Sequence, residues 1–263
     1  GIGYDAATTL SARGWRVFAG CRQQADVDRL SAQGLEAVLL DYRDTDGMKA
    51  AVAKVLAATS GSLDALFNNG AYALPGLVED LPRDALRDIF EVNLFGQFEL
   101  INLLMPVFYA QGHGRIVNCS SVLGIGAMRG RGGYNATKFA MEGLTDTMRL
   151  ELRGSGIDLS LILPGPIPTE IRRNSQPHFE RWVDWKASAR RAEYEADFLP
   201  RLYDESGKAD TFELPPSAVT AKLIHAVEAR RPHPRYYVTL GTWIMRAMTF
   251  LPTRWRDALL AKS

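Results

Sequence analysis

The sequence predicts an α/β fold, a doubly wound parallel sheet lying between two helical layers in an αβα sandwich. Three observations predict it. Helix-period and strand-like runs alternate along the chain, as they do when parallel strands are joined by helices. The residues with chemical character cluster just after the predicted strands, where open parallel sheets place their ligands. The composition is that of a packed globular chain. Of 263 residues 46% are hydrophobic and 23% charged, enough for a sizeable core. The 31 basic and 30 acidic residues leave a net charge of +1, which excludes a polyelectrolyte role and argues against nucleic acid as a partner. Cys21 and Cys119 both sit in apolar strand-like runs, so neither a disulfide framework nor a zinc site is expected. No run reaches the ~18 apolar residues of a transmembrane helix.

Each element follows from its pattern. A helix-like stretch over 2–13 leads to a strand over 15–19. A polar helix over 24–33 precedes the strand 35–40, and a helix over 46–58 precedes the strand 63–67. A long helix over 83–110 carries Leu86, Phe90, Leu94, Phe98, Ile101, Met105 and Phe108 at three- and four-residue spacing. The strand 115–119, a helix over 135–153 and the strand 157–163 follow. From about 170 to 215 the pattern breaks, and charges of both signs interleave with Phe179, Trp182, Trp185, Tyr194, Phe198 and Tyr203. So many aromatics argue against a disordered linker and for a mobile helical lid. A helix over 217–229 and a strand over 235–238 complete the sheet, giving one domain over 1–263 with the lid inserted. In the tail, Ile244, Met248, Leu251, Trp255 and Leu259 recur at helical spacing, with Pro252 splitting the helix.

The chemistry is concentrated in a few positions. Tyr134 and Lys138 lie four residues apart and share one helix face. A nearby ammonium favours a phenolate and is expected to lower the tyrosine pKa, making Tyr134 a proton donor to a carbonyl or acceptor from an alcohol. Ser121, thirteen residues upstream, follows a strand and can hydrogen-bond the same substrate oxygen. Asn93 interrupts the apolar stripe of the long helix, where an amide needs buried partners or a place in the site. Gly1-Ile2-Gly3 opens a helix whose free N–H groups suit a pyrophosphate. Asn68 to Ala71, with Gly70, offers small residues for packing against a cofactor, and Asp41 can accept from an adenine amino group. Pro164-Gly165-Pro166-Ile167-Pro168-Thr169 makes a stiff exit from a strand, with Thr169 as a donor.

This constellation resembles the short-chain dehydrogenase/reductase family in its compact single-domain branch. Gly1 and Gly3 look like the last two glycines of the family's Thr-Gly-x-x-x-Gly-x-Gly motif. Asn68-Asn69-Gly70-Ala71 looks like Asn-Asn-Ala-Gly with its small residues exchanged. Asn93, Ser121, Tyr134 and Lys138 match the catalytic tetrad, and Pro164, Gly165, Ile167 and Thr169 lie in the Pro-Gly segment. The resemblance implies a Rossmann-like fold, with Tyr134 as acid/base and Lys138 on the nicotinamide ribose. It implies that Ser121 orients the substrate oxygen and that Asn93 holds a water linking Lys138 to solvent. Phe67-Asn68-Asn69 and the run Arg235 to Thr239 are similar to hydroxysteroid- and retinol-dehydrogenase-like members. The family's strand order, 3-2-1-4-5-6-7, has a central first strand that this chain lacks, so roughly 10–15 further upstream residues are expected.

The resemblance also implies a hydride transfer between nicotinamide and an alcohol or carbonyl compound, bulky and apolar if the aromatic lid selects it. Cys21 stands where NAD enzymes of this fold carry an acid, and Arg22 follows it, so NADP is expected rather than NAD. A homo-oligomer in the cytoplasm is expected, with the basic tail a candidate for peripheral membrane contact. Two other readings compete. A sugar-nucleotide epimerase or dehydratase also uses Tyr-x-x-x-Lys but needs a larger C-terminal domain. A non-catalytic dinucleotide sensor commonly lacks the tyrosine or the lysine.

Overall fold

The structure, a computed structural model, describes residues 1–261. The chain opens with helix α1 (Ile2–Ala12), strand β1 (Phe18–Cys21), helix α2 (Gln24–Ala32), strand β2 (Glu36–Leu39), helix α3 (Thr45–Ala58) and strand β3 (Ala65–Asn68). Helices α4 (Arg83–Phe90) and α5 (Gly96–Gln111) are joined without a break by a π turn over Glu91–Phe95. Strand β4 (Gly114–Cys119), helix α6 (Gly132–Glu151) and strand β5 (Ile157–Leu163) follow. The lid is helical, with α7 (Ile171–Trp182), the single turn α8 (Arg191–Glu193), a second π turn (Tyr194–Phe198) and the short α9 (Leu199–Leu202). Helix α10 (Pro216–Glu228), strand β6 (Arg235–Tyr237), and helices α11 (Leu240–Met248) and α12 (Thr253–Leu260) end the described chain.

All pairings are parallel, in the order β2-β1 and β3-β4-β5-β6. That is the expected order without its first strand. Among the described residues no strand joins β1 to β3, so the sheet is in two pieces. Successive residues of a strand point to opposite faces, and β4 shows how both faces are covered. Ile116 packs with Met48 of α3 and with Leu100, Leu104 and Phe108 of α5. Its neighbour Val117 packs on the other side with Ala6 of α1 and with Val219 and Leu223 of α10.

Two boundaries differ from the sequence reading in ways that move the site. The strand expected over 15–19 begins at Phe18 rather than Trp15, because its register is set by pairing Phe18 with Glu36 and Cys21 with Leu39. Cys21 therefore ends β1 and Arg22 is the first residue beyond it. Helix α6 begins at Gly132, earlier than expected, which puts Tyr134 in its first turn.

The lid packs down on the core. Phe179 and Tyr194 are fully buried against Leu74, Leu77 and Tyr134. The Tyr194 hydroxyl accepts from the Leu77 N–H at 2.9 Å and donates to Asp80 at 2.7 Å, bonding the lid to the segment after β3. Pro252 divides α11 from α12 as expected, leaving Trp243, Ile244, Phe250 and Trp255 exposed. Among the described residues no helix is long and apolar enough to cross a membrane.

Candidate active site

The site forms where β4 and β5 end. The N–H of Val122 donates to Pro164 O at 2.7 Å, which holds the two strand exits together. Ser121 caps the short turn Val122–Gly124, and its Oγ accepts from the Leu123 N–H at 3.1 Å. Beside it, α6 presents Tyr134 and Lys138, both buried. The Lys138 ammonium donates to Cys119 O at 2.8 Å and lies 5.7 Å from the centre of the Tyr134 ring. An ammonium has three donors, so two remain for a ligand.

The electrostatics correct one expectation. The ammonium was expected to draw the Tyr134 phenol down, but the phenol is raised above its ordinary value. Burial dominates, the Cys119 thiol adds to it, and the Ser121 hydroxyl and Arg131 guanidinium oppose it only in part. The ammonium is turned to the Cys119 carbonyl and the ring, and burial lowers its own pKa. In this state Tyr134 is a protonated phenol, ready to donate.

Asn93 lies in the π turn and is fully buried. Its amide accepts from the Tyr72 N–H at 3.1 Å and donates to Tyr72 O at 2.9 Å and to Thr137 Oγ1 at 3.4 Å. The side chain thus clamps the exit of β3 against α6, the helix that carries Tyr134. Asn68 is turned into the core, where it accepts from Tyr42 at 3.2 Å and donates to Asn118 at 3.0 Å and to Gln97 O at 3.4 Å. Its amide is spent on structure, and it is the neighbouring Asn69 that lies against the start of α1.

The glycines bring the cofactor candidates together. A Cβ on Gly3 would sit 3.0 Å from Asn69 Nδ2, and one on Gly1 would sit 3.7 Å from Thr169 Cγ2. The start of α1 therefore meets both the strand β3 exit and the end of the Pro164–Thr169 segment. Ile2 and Ile167 join the apolar cluster beneath. Gly165 is pressed so closely on the Thr239 hydroxyl that no side chain would fit. Gly70 O accepts from Gln97 Nε2 at 2.6 Å, while Asp41 accepts from the Arg43 N–H at 3.0 Å. Arg22 opens onto a pocket of about 390 Å³ that it shares with Arg173 and His178 of α7. Backbone N–H groups free of side chains, a buried ammonium with spare donors and an arginine at the end of β1 fit a dinucleotide.

The sequence reading missed two groups. Tyr72 stacks on His178 with ring centres 3.7 Å apart, and its hydroxyl bonds Asp88, which also pairs with Arg43 at 3.0 Å. This docks α7 on the β3 exit. The other is Arg131, three residues before Tyr134 and therefore on its side of the helix. Burial, with Arg201 and Arg172 of the lid nearby, brings its guanidinium down to about 10, so it stays charged at neutral pH. The spacing to Tyr134 was the available signal.

Comparison with known proteins agrees with this geometry. A model of the short chain dehydrogenase family matches residues 1–179. The chain is similar to an uncharacterized oxidoreductase, YbbO, of Escherichia coli strain K12, with 37% identity covering 99% of this chain and 90% of that protein. It is also similar to 17-beta-hydroxysteroid dehydrogenase type 6 of Rattus norvegicus, with 30% identity covering 100% of this chain and 85% of the relative. Among solved structures, a short chain dehydrogenase/reductase of Burkholderia phymatum in complex with NAD matches with a TM-score of 0.77 and 26% identity, covering 99% of this chain and 91% of that one. The matched motif residues, the parallel sheet and the Ser121–Tyr134–Lys138 corner lead to one conclusion: the chain belongs to the short-chain dehydrogenase/reductase family and is an NAD(P)-dependent oxidoreductase.

Proposed function

We propose that the protein is an NADP-dependent oxidoreductase acting on a bulky, largely apolar alcohol or carbonyl compound. The observation that carries this reading is the meeting of Ser121, Tyr134 and Lys138 at the carboxyl end of β4, under an apolar wall from the lid. When bound, the nicotinamide supplies or takes up the hydride. The chain's own residues then handle the oxygen and its proton. Ser121 holds the substrate oxygen, and the protonated Tyr134 donates to it as negative charge develops during reduction. Lys138, anchored on Cys119 O, would hold the ribose with its remaining donors and would stabilise the phenolate left after proton transfer. Asn93 keeps α6 and the β3 exit in register.

The choice of NADP rests on Cys21 and Arg22. No carboxylate ends β1, and a guanidinium next to the strand end suits a 2′-phosphate through paired, charge-assisted bonds. The pocket that Arg22 shares with Arg173 offers that phosphate a second guanidinium, with Glu180 also on its wall. Lid residues Phe179, Val183 and Tyr194 pack with Tyr134 in one apolar cluster, which supports a substrate with an apolar body.

The test is a panel of aldehydes, ketones, retinoids and steroids assayed with NADPH and with NADH. Turnover of bulky apolar members with NADPH ahead is expected. A preference for small hydrophilic compounds would overturn the substrate class, and NADH equal or ahead would overturn the cofactor.

A further inference from the structure

We propose that Arg131 is the substrate's anion handle, so that the preferred alcohol or carbonyl compound carries a carboxylate on its apolar body. The proposal rests on the oxidoreductase reading above and adds the charged end of the substrate to it.

Arg131 is the N-cap of α6, and its backbone bridges to Gly76 in the segment that the lid covers. This fixes it one helical turn from Tyr134, between the catalytic helix and the lid. The cations around it are already matched. Arg172 of α7 pairs with Asp210 at 3.1 Å and approaches Asp204 at 3.9 Å. Arg201 approaches Asp210 at 4.0 Å. Arg129, two residues before Arg131, pairs with Glu193 and with Asp197 at 3.2 Å. Among the described residues Arg131 alone of these has no carboxylate and no hydrogen-bond acceptor on its guanidinium, although the side chain is partly buried.

With no acceptor of its own and access to solvent, the Arg131 guanidinium is free to meet a ligand. Burial and the neighbouring arginines Arg201 and Arg172 act against its charge, and only Asp210 and Tyr134 offset them. A ligand that enters between α6 and the lid can supply the missing anion. A planar guanidinium takes a carboxylate in two parallel bonds, which would fix the substrate at one end while Ser121 and Tyr134 fix its reacting oxygen. The apolar cluster of Leu123, Phe179 and Val183 is left to the body of the molecule. An oxo acid or hydroxy acid with an apolar chain meets all three demands.

The experiment compares oxo acids of increasing chain length with their methyl esters, using the intact protein, its preferred cofactor and separate kcat and KM values. Each pair keeps the reacting carbonyl and changes only the charge. The unaltered enzyme is expected to prefer the acid by roughly ten- to hundredfold in kcat/KM, mostly through KM. Arg131→Met should remove that preference by raising KM for the acid, while any effect through the Tyr134 phenol falls on kcat of acid and ester alike, and Arg131→Lys should restore part of the preference. Competitive inhibition by a long-chain carboxylate without a carbonyl should weaken in parallel, which gives a readout independent of turnover. Acid and ester used equally by the unaltered enzyme would overturn the proposal without need of any variant. So would an equal loss on both substrates in Arg131→Met. Failure to turn over any carbonyl or alcohol with either cofactor would instead defeat the oxidoreductase reading on which the proposal stands.

Discussion

Asn93 shows how one buried amide serves fold and site together. Its bonds satisfy both the N–H and the C=O of Tyr72. Asn93→Ala leaves both groups buried and unpaired, at about 1–3 kcal/mol for each. A thermal melt should therefore fall by several degrees, and an unchanged melting temperature would mean that the clamp does not hold. Lys138→Ala should weaken cofactor binding and turnover together if, as proposed, the ammonium anchored at Cys119 O also holds the ribose. Titration of binding alongside kcat checks whether the two move together. At this scale the meeting of Ser121, Tyr134 and Lys138 was legible from their spacing, and the buried Asn93 from its break in an apolar stripe. The direction of the Tyr134 shift was not, because spacing reports which groups are near and says nothing of how deeply they are buried. The core placement of the Asn68 amide was not legible, for a related reason. Its partners Tyr42, Gln97 and Asn118 come from three other parts of the chain.

Among elements, the segment proposed as a lid is held to the core through Tyr194. The Tyr194 hydroxyl bonds Leu77 and Asp80 from inside a fully buried position. Tyr194→Phe leaves the Leu77 N–H without its partner at a cost of about 1–3 kcal/mol, so the lid should loosen and the substrate KM should rise while cofactor affinity stays near normal. Faster proteolysis within 183–210 would report the same loosening, and an unaltered cleavage rate would argue against it. A second contact is sensitive to pH. Burial tends to raise Asp88, but its bonds with Arg43 and Tyr72 win and hold it below the ordinary carboxylate range. Its contribution is therefore full above the unfolded value of about 4 and is lost as the pH falls through the folded one. Asp88→Asn should flatten the acid side of the stability profile, as urea melts at stepped pH would show. Strand and helix order could be read from periodicity, because each element has one apolar face. The start of β1 could not, since pairing with β2 sets it, and the π turn at Asn93 leaves no mark in a helical pattern.

For the whole molecule, the parallel order and the covering of both sheet faces follow from the alternation of elements, and the structure bears out both. The contact of the α1 start with Asn69 and Thr169 was legible only in part. The glycines marked the place, but the sheet order decides which loops meet there. The proposed cofactor choice also belongs to this scale, because it turns on where β1 ends. Exchanging Cys21→Asp and Arg22→Ala together should shift the kcat/KM ratio from NADPH toward NADH by roughly ten- to hundredfold. No shift would place the phosphate elsewhere. The most direct measurement compares Tyr134→Phe with the unaltered enzyme, following turnover and NADPH binding on the same preparation. Loss of turnover with NADPH affinity nearly intact is the expected result, because only the proton-bearing oxygen is removed. Near-normal turnover by Tyr134→Phe would contradict the assignment of Tyr134 as the acid.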